Sequence, residues 1–440
     1  MIYNSIIIGI LIIGGKIMKK LSTLTKEELL KFYEETQARY DEFKSRGLTI
    51  DMSRGKPGPE QLDVAQADFA KAFEITDYTS KTGFDCRNYG LLDGIAESKE
   101  LFASLLGVEP KNIVIGGNAS LELMFSFISQ CCSHGIAGCT PWSKLDDVKF
   151  IAVVPGYDRH FAIAEYFGIK MVNVPLSAPG PDMDMVEELI KDESVKGMFC
   201  VPKYSNPDGF TYSAETIERL AKMQPAAKDF RVIWDNAYII HDLYDTSDEL
   251  VNIFDAAKKY GTEDNFVEFC STSKITFPGA GVSALAASDN NVKEILSRLT
   301  VQIISYDKMN QLRHSRIFPD VDSLKAIMKK HADVLRPKFD AVLEVLENEL
   351  GGLDIASWHK PNGGYFISLN VDTGSAKYAG QLCKEAGLTL TGVGATFPYK
   401  NDPADRNIRI APSYPSVEDL KASAELLCIA VKLAAVKELL

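Results

Sequence analysis

The chain has 440 residues, 60 of them acidic and 48 basic, which gives a formal net charge of −12. A protein this acidic lacks the basic face that general binding to nucleic acids or membrane surfaces requires. Hydrophobic residues make up 46% of the chain and charged residues 25%, as in ordinary globular proteins with two or three core-bearing units.

The beginning of the chain is strongly apolar. Residues 6–13 resemble the core of a signal peptide, but no basic segment precedes them and they are too short to span a bilayer comfortably. We predict that residues 1–17 are a disordered or non-native extension and that Met18 is the functional start. A membrane anchor is the alternative.

The eight cysteines form no CxxC pair and no cluster with histidine at zinc-ligand spacing. Most lie in apolar surroundings, where a free cysteine behaves as a small core residue. The sequence therefore predicts no metal site and a reducing, cytoplasmic compartment.

An N-terminal helix is the first predicted element. Thr25 is a typical N-cap, acidic residues follow in the first turn, and Gly47 ends the helix. The next loop, residues 51–59, is rich in glycine, proline and cations, so that it offers backbone amides and positive charge to a carboxylate. A solvated connector is the alternative interpretation.

Strands and helices then alternate up to about residue 287. The predicted strands are short and mostly apolar runs, among them residues 112–115, 150–154, 197–201, 231–234 and 266–269. Such runs, separated by helices, indicate a mostly parallel sheet covered on both faces. Ligands of these sheets bind beyond the carboxyl ends of the strands.

Polar residues follow these strands. A glycine turn at residues 116–120 precedes a helix and is a natural phosphate site. Asn206, Asp235 and Lys274 follow three further strands. A lysine at the mouth of a buried strand is a candidate nucleophile, because desolvation lowers the pKa of its ammonium group. Each residue alone has an ordinary alternative as a cap, a turn or a surface charge, but together at strand ends they predict a site.

This set of residues is what a pyridoxal phosphate enzyme needs. A lysine holds the cofactor aldehyde as a Schiff base and moves a proton, and an aspartate facing the pyridine nitrogen keeps that nitrogen protonated. An aromatic ring stacks on the cofactor face, and a helix N-terminus holds the phosphate.

Three segments, residues 53–57, 206–209 and 271–274, resemble those of fold-type I pyridoxal phosphate enzymes of the class I/II aminotransferase family, especially a divergent bacterial branch of aspartate aminotransferases. The resemblance implies an α/β fold with two domains and a homodimer with shared active sites. The implied parts are a large domain with a mostly parallel seven-stranded sheet covered by helices, a small α+β domain, and an N-terminal helix and loop joining the small domain: residues 63–324, 325–440 and 18–62, respectively.

The resemblance also implies roles for single residues. Lys274 corresponds to the Schiff-base lysine, and Asp235 to the partner of the pyridine nitrogen. Asn206 and Tyr238 would hydrogen-bond the phenolic oxygen of the cofactor, and Tyr157 would stack on its ring. Further cofactor contacts would come from the glycine turn, from hydroxyls beside the lysine and, across the subunit interface, from a tyrosine: Gly117, Asn118, Ala119, Ser271, Ser273 and Tyr89.

Substrate contacts are implied in the same way. Arg409 corresponds to the arginine that binds the substrate α-carboxylate, Gly55 to a glycine at the substrate gate, and Asn206 contributes here too. Lys308 lies at about the spacing from Lys274 where related enzymes place an inter-subunit arginine for a distal carboxylate. Other candidates for that carboxylate are Arg54, Lys56 and Arg313.

One position departs from the family. Eight positions after the lysine, where the family usually has an arginine for the cofactor phosphate, this chain has Val282. Amides, hydroxyls and another cation, such as Arg87 or Arg316, would then have to meet the phosphate charge.

The predicted activity is ping-pong transfer of an amino group from an L-amino acid, aspartate in the first place, to 2-oxoglutarate. An aminotransferase of aromatic or aliphatic specificity and a β-lyase are the enzyme alternatives. The non-enzyme alternative is the cofactor-binding part of a transcription regulator, for which roughly 50 residues before the first motif leave little room for a DNA-binding domain.

Overall fold

A computed structural model describes residues 11–13, 16–18, 20–74 and 76–440. The extension predicted at residues 1–17 lies outside these ranges except for parts of two short antiparallel strands, β1 (Leu11–Ile13) and β2 (Lys16–Met18). Among the described helices, none combines the length and the apolar character that a membrane crossing needs.

The N-terminal segment contains α1 (Lys26–Ser45), β3 (Ile50–Asp51) and α2 (Pro59–Phe73). Helix α1 begins at the predicted cap, since the Thr25 hydroxyl accepts a hydrogen bond from Glu28 N at 3.2 Å and Thr25 N donates to the Glu28 carboxylate at 2.8 Å. This reciprocal pairing satisfies backbone donors that a helix start leaves free.

The central region alternates strands and helices as predicted. Its elements are α3 (Ala96–Leu106), β4 (Ile113–Ile115), α4 (Ser120–His134), β5 (Lys149–Val154), α5 (Asp158–Tyr166), β6 (Lys170–Ser177), β7 (Gly180–Pro181), α6 (Met183–Leu189), β8 (Val195–Cys200), α7 (Ala214–Lys222), β9 (Arg231–Asp235), α8 (Ile253–Lys258), β10 (Phe266–Ser271), β11 (Ser283–Ala287), α9 (Asp289–Gln302) and α10 (Lys308–Ile317).

The central sheet has the strand order β4-β11-β10-β9-β8-β5-β6-β7. Strands β10, β9, β8, β5 and β6 are parallel neighbours, while β11 is antiparallel to β10 and β4, and β7 to β6. The predicted sheet, mostly parallel and covered by helices, is confirmed. It has eight strands rather than seven, because the two-residue β7 turns back on β6 and is too short to leave a hydrophobic pattern.

The C-terminal region consists of α11 (Val321–Leu350), β12 (Ala356–Trp358), β13 (Ile367–Val371), α12 (Ala376–Glu385), β14 (Leu388–Thr389), β15 (Asn407–Ile410) and α13 (Val417–Leu439). Strands β12, β13 and β15 form an antiparallel sheet, and β14 pairs with β3. The N-terminal segment therefore shares a hydrophobic core with this region, in which Tyr40 of α1 and Ile408 of β15 both take part.

Helix α11 packs on both regions. Its beginning lies in one core with Phe69 and Leu101, and Phe339 farther along lies in the core with Ile408. The domain bounds at residues 63 and 325 stay a prediction. The carboxyl ends of the parallel strands face this C-terminal region, and that junction contains the site.

Candidate active site

A cavity of about 370 Å³ lies between the carboxyl ends of β8, β9 and β10, strand β15 and the loop before α2. Its lining includes many of the side chains predicted from the sequence: Gly55, Ala119, Tyr157, Asn206, Asp235, Tyr238, Ser271, Ser273, Lys274 and Arg409. Their convergence follows from topology, because parallel strands end at one edge of a sheet.

Lys274 lies just after β10 and is partly buried at the cavity wall. Its Nζ lies 5.0 Å from the centre of the Tyr238 ring and 6.0 Å from that of Tyr365. Burial lowers the pKa of the Lys274 amine, and the negative charge of Asp235 opposes this shift. The neutral amine needed for nucleophilic attack is therefore easier to reach than on the surface.

Asp235 ends strand β9 and is buried. His160 Nε2 donates to its Oδ2 at 2.9 Å, and the His160 ring stacks on Phe199 with centroids 4.9 Å apart. The other oxygen, Oδ1, is buried and has no hydrogen-bond partner in the described part of the chain. A buried carboxylate oxygen is costly when unpaired, and because Asp235 lines the cavity, this oxygen is available to accept a hydrogen bond from a donor bound there.

The first turn of α5 brings several residues to the cavity. Tyr157 is the residue before the helix, and its ring meets that of His160 edge to face at 5.0 Å. Asp158 and Arg159 line the cavity beside it. Of these residues, only Tyr157 was predicted from the sequence. His160 contacts Asp235, and Asp158 contacts Arg409. Their position directly after the Pro-Gly-Tyr turn at a strand end was the available signal.

The phenols of Tyr157 and Tyr238 remain protonated at neutral pH. Burial raises the pKa of Tyr157 to about 12 and that of Tyr238 well above its ordinary value. Both hydroxyls are therefore available as hydrogen-bond donors to an oxygen in the cavity.

The N-terminus of α4 lines the cavity next to the lysine segment. Ala119 precedes the helix without a side-chain cap, and Ala119, Ser120 and Leu121 all line the cavity. Uncapped N–H groups at a helix start bind anions. Two hydroxyls stand next to them: Ser271 Oγ donates to Ser273 Oγ at 3.0 Å, and Ser273 Oγ to Asn118 O at 2.7 Å.

Gly117 and Asn118 shape this turn but lie outside the cavity lining. Gly117 O accepts from Ser283 N at 2.8 Å, and Asn118 Nδ2 donates to Pro278 O at 3.1 Å. They hold the turn against the lysine segment and the neighbouring strand.

Val282, at the position where the family usually has an arginine, lies in the hydrophobic core. Val282 is 2% exposed and packs among apolar side chains, and its N–H donates to Thr272 Oγ1 at 2.9 Å. The two replacement cations named from the sequence lie outside the cavity lining, since Arg87 pairs with Asp85 and Arg316 with Asp77.

Arg409 approaches the cavity from β15. Its Nη1 donates to Asp158 Oδ1 at 2.9 Å and to Asn206 Oδ1 at 3.2 Å, and its guanidinium lies 4.8 Å above the Phe366 ring. Gly55 packs on the same ring, because a Cβ at position 55 would lie 2.5 Å from Phe366 Cζ. The guanidinium is thus held in place with its remaining donors near the cavity.

Three further predicted residues lie outside the cavity lining of the single chain. Tyr89 is 76% exposed, and Lys308 is buried elsewhere with its Nζ 2.7 Å from Ser305 Oγ. Arg313 lies over the Phe73 ring at 4.6 Å. The roles of Tyr89 and Lys308 across a subunit interface stay predictions.

Comparison with known proteins identifies close relatives. The family model described as aspartate amino-transferase matches residues 24–440. The aspartate aminotransferase of Corynebacterium glutamicum is 44% identical over 416 residues, which cover 94% of this chain and 96% of that protein. A crystal structure of an aspartate transaminase from C. glutamicum superposes with a TM-score of 0.93 at 44% identity, covering 96% of this chain and 99% of that one. LysN, the α-aminoadipate aminotransferase of Thermus thermophilus, shares the fold, with a TM-score of 0.70 at 20% identity and coverage of 93% and 98%.

Proposed function

From the premise that this chain belongs to the aspartate aminotransferase family and is an aminotransferase, we propose L-aspartate as its amino donor and 2-oxoglutarate as its acceptor. The close relative from C. glutamicum that carries the name aspartate aminotransferase supports this choice. Aromatic or aliphatic specificity remains the alternative within the family.

We propose pyridoxal 5′-phosphate as the cofactor, held at Lys274. The observation that carries this proposal is the buried, unpaired Oδ1 of Asp235, since a protonated pyridine nitrogen is the cationic N–H that this oxygen lacks. When bound, the cofactor supplies an aldehyde for the lysine amine and a ring that accepts electrons. The phosphate would be held at the start of α4 with Ser271 and Ser273, and the phenolic oxygen by Asn206 and Tyr238.

The chain's own residues then orient the substrate and move a proton. Arg409 binds the α-carboxylate, a bidentate contact for which a guanidinium is suited. Lys274 Nζ would accept the proton that leaves the substrate Cα and, in the second half-reaction, would deliver a proton to the Cα of the oxo acid, because its lowered pKa makes the neutral amine accessible. Tyr157 lines the cavity together with Asp235 and would stack on the cofactor ring.

The distal carboxylate of aspartate needs a second cation, and we assign it to Arg54 and Arg159. Both line the cavity and are exposed, and neither has an ion-pair partner among residues 20–74 and 76–440. Lys56, also in the lining, lies over the Tyr414 ring at 3.8 Å and is already engaged. Arg159 and Arg409 line the same cavity, and Asp158, the neighbour of Arg159 in the sequence, contacts Arg409.

We further propose a cytoplasmic homodimer. All eight cysteines are free thiols, which suits a reducing compartment. Large apolar side chains are exposed on the single chain, with Tyr89 at 76%, Val301 at 88% and Ile304 at 62%. Contact with a second copy would cover them.

The decisive experiment is a visible absorbance spectrum of the purified protein with and without L-aspartate. The proposal expects absorbance from a lysine-bound cofactor that changes on addition of L-aspartate, and its loss in Lys274→Ala but not in Lys329→Ala, which replaces an exposed lysine of α11. A wild-type protein without cofactor absorbance, or an unchanged spectrum in Lys274→Ala, would refute the cofactor proposal. A response to an aromatic amino acid and none to aspartate would refute the substrate alone.

A further inference from the structure

Two successive carbonyls of the lysine segment accept hydrogen bonds from buried side chains that come from other parts of the chain. Tyr365 donates its hydroxyl to Lys274 O at 3.5 Å, and His331 Nε2 of α11 donates to Ile275 O at 3.0 Å. The backbone that directly follows the reactive side chain is thereby fastened to the C-terminal region.

Gln61 of α2 joins these two donors. Its Nε2 donates to Tyr365 Oη at 2.8 Å and lies 3.4 Å from His331 Nδ1, while its Oε1 accepts from Gly58 N at 3.3 Å. Gly58 directly follows the loop of residues 54–57, which lines the cavity. The network thus connects this loop with the lysine segment.

The donors and acceptors of this hydrogen-bond network can be assigned without conflict. His331 Nε2 faces a carbonyl and must carry the proton, so that Nδ1 of the neutral ring is an acceptor for Gln61. Burial lowers the pKa of His331, which keeps the ring neutral. The two amide hydrogens of Gln61 serve two acceptors, and its oxygen serves the Gly58 amide. Gln61 is 0%, His331 1% and Tyr365 1% exposed, so bulk solvent does not reach these bonds.

We propose that Gln61, Tyr365 and His331 are positioning residues that hold the Lys274 backbone so that Nζ meets the substrate carbon, and that they couple the lysine to the 54–57 loop. This inference rests on the proposed role of Lys274 as the proton carrier. A lysine side chain has four rotatable bonds, so a fixed backbone is needed to limit the positions that Nζ can reach. Proton transfer requires heavy atoms about 3 Å apart, and small displacements slow it strongly.

The test is Tyr365→Phe, which removes one oxygen atom and keeps the ring. Its matched control is Tyr40→Phe, because Tyr40 is also buried and donates to a backbone carbonyl, Leu382 O at 2.9 Å, in the core away from the cavity. We expect kcat to fall about tenfold in Tyr365→Phe with KM values changed less than about twofold. Hydrogen exchange should become faster in the peptides that contain residues 272–276 and 54–58. The control should show neither effect.

His331 provides an independent pair of variants. His331→Gln keeps an amide N–H that can reach Ile275 O, and His331→Leu removes the donor. The proposal expects a higher kcat in His331→Gln than in His331→Leu. It also expects slower hydrogen exchange of the lysine segment in His331→Gln. Equal values for the two variants, or a Tyr365→Phe enzyme that matches Tyr40→Phe in kcat and exchange, would overturn it.

The wild-type protein separates this inference from the proposed function. If wild type lacks cofactor absorbance and transamination, the proposed function fails. If wild type has both and the variants behave like the control, the positioning role alone fails. The exchange measurement reads the lysine segment directly and does not depend on turnover.

Discussion

The Asp235 carboxylate is hydrogen-bonded on one side only: His160 Nε2 lies 2.9 Å from Oδ2, while Oδ1 is buried without a partner elsewhere in the described chain. His160 is held in turn by the ring of Phe199, which lies parallel to it at an angle of 10°. The histidine orients the carboxylate and leaves its second oxygen for a ligand.

The first prediction concerns this contact. His160→Leu should weaken cofactor binding about tenfold or more, because the hydrogen bond that orients the Asp235 carboxylate contributes about 1.5–3 kcal/mol and its loss lets the carboxylate turn away from the ligand. Titration of the cofactor into apoenzyme measures the Kd. His359→Gln, at an exposed histidine beside Phe210, is the control. An unchanged Kd in His160→Leu would contradict the orienting role.

Arg409→Lys should lower kcat/KM for amino and oxo acids by about a hundredfold. A lysine keeps the charge but loses the planar pair of donors that meets a carboxylate, a difference on the order of 3 kcal/mol. Steady-state kinetics with both substrates measures it. The control is Arg406→Lys, three positions earlier, where the arginine forms an ion pair with Asp372 away from the cavity. Equal kinetics in the two variants would remove Arg409 from substrate binding.

Arg159→Gln and Arg54→Gln test which residues bind the distal carboxylate of a dicarboxylate. Loss of an ion pair to the distal carboxylate should weaken inhibition by succinate about tenfold and leave inhibition by butyrate within about twofold. The ratio of the two inhibition constants is the measurement, and it needs no turnover of a poor substrate. If neither variant changes this ratio, the distal carboxylate is bound by another cation, and Lys308 across a subunit interface becomes the remaining candidate.

Glu268 predicts a specific pH dependence of stability. This buried carboxyl accepts from Asn236 Nδ2 at 2.8 Å, and burial raises its pKa from 4.5 to about 7. Between these two values the folded state keeps a proton that the unfolded chain releases, so stability falls as pH rises from about 4.5 and the loss is complete above about 7.

Glu268→Gln should remove this loss. The variant should match wild type near pH 4.5 and exceed it at pH 8 by up to about 3 kcal/mol, an upper bound from the size of the pKa change. Thermal or denaturant unfolding at the two pH values measures the difference. Glu193→Gln, at an exposed site, should show no such trend. A constant difference between Glu268→Gln and wild type across this range would contradict an ionisable Glu268 in the core.

The amino-acid sequence by itself determined the features that depend on residues close together in the chain. Apolar runs of strand length separated by helices indicated the parallel sheet, and Asp235 and Lys274 could be placed at its edge because each follows such a run within a few residues. The eighth strand escaped this reasoning, since two residues of β7 carry no pattern.

Only the tertiary structure decided which distant residues meet. Gln61 contacts Tyr365 across 304 positions of sequence, and Arg409 contacts Asp158 across 251. The packing of the C-terminal region against the sheet sets these distances, and no local pattern in a single sequence encodes them. The same packing turned Val282 into a core residue and left Tyr89 and Lys308 outside the cavity of the single chain. Lys274 could be identified from its neighbours in the sequence, whereas the residues that hold its backbone are brought there by long-range packing.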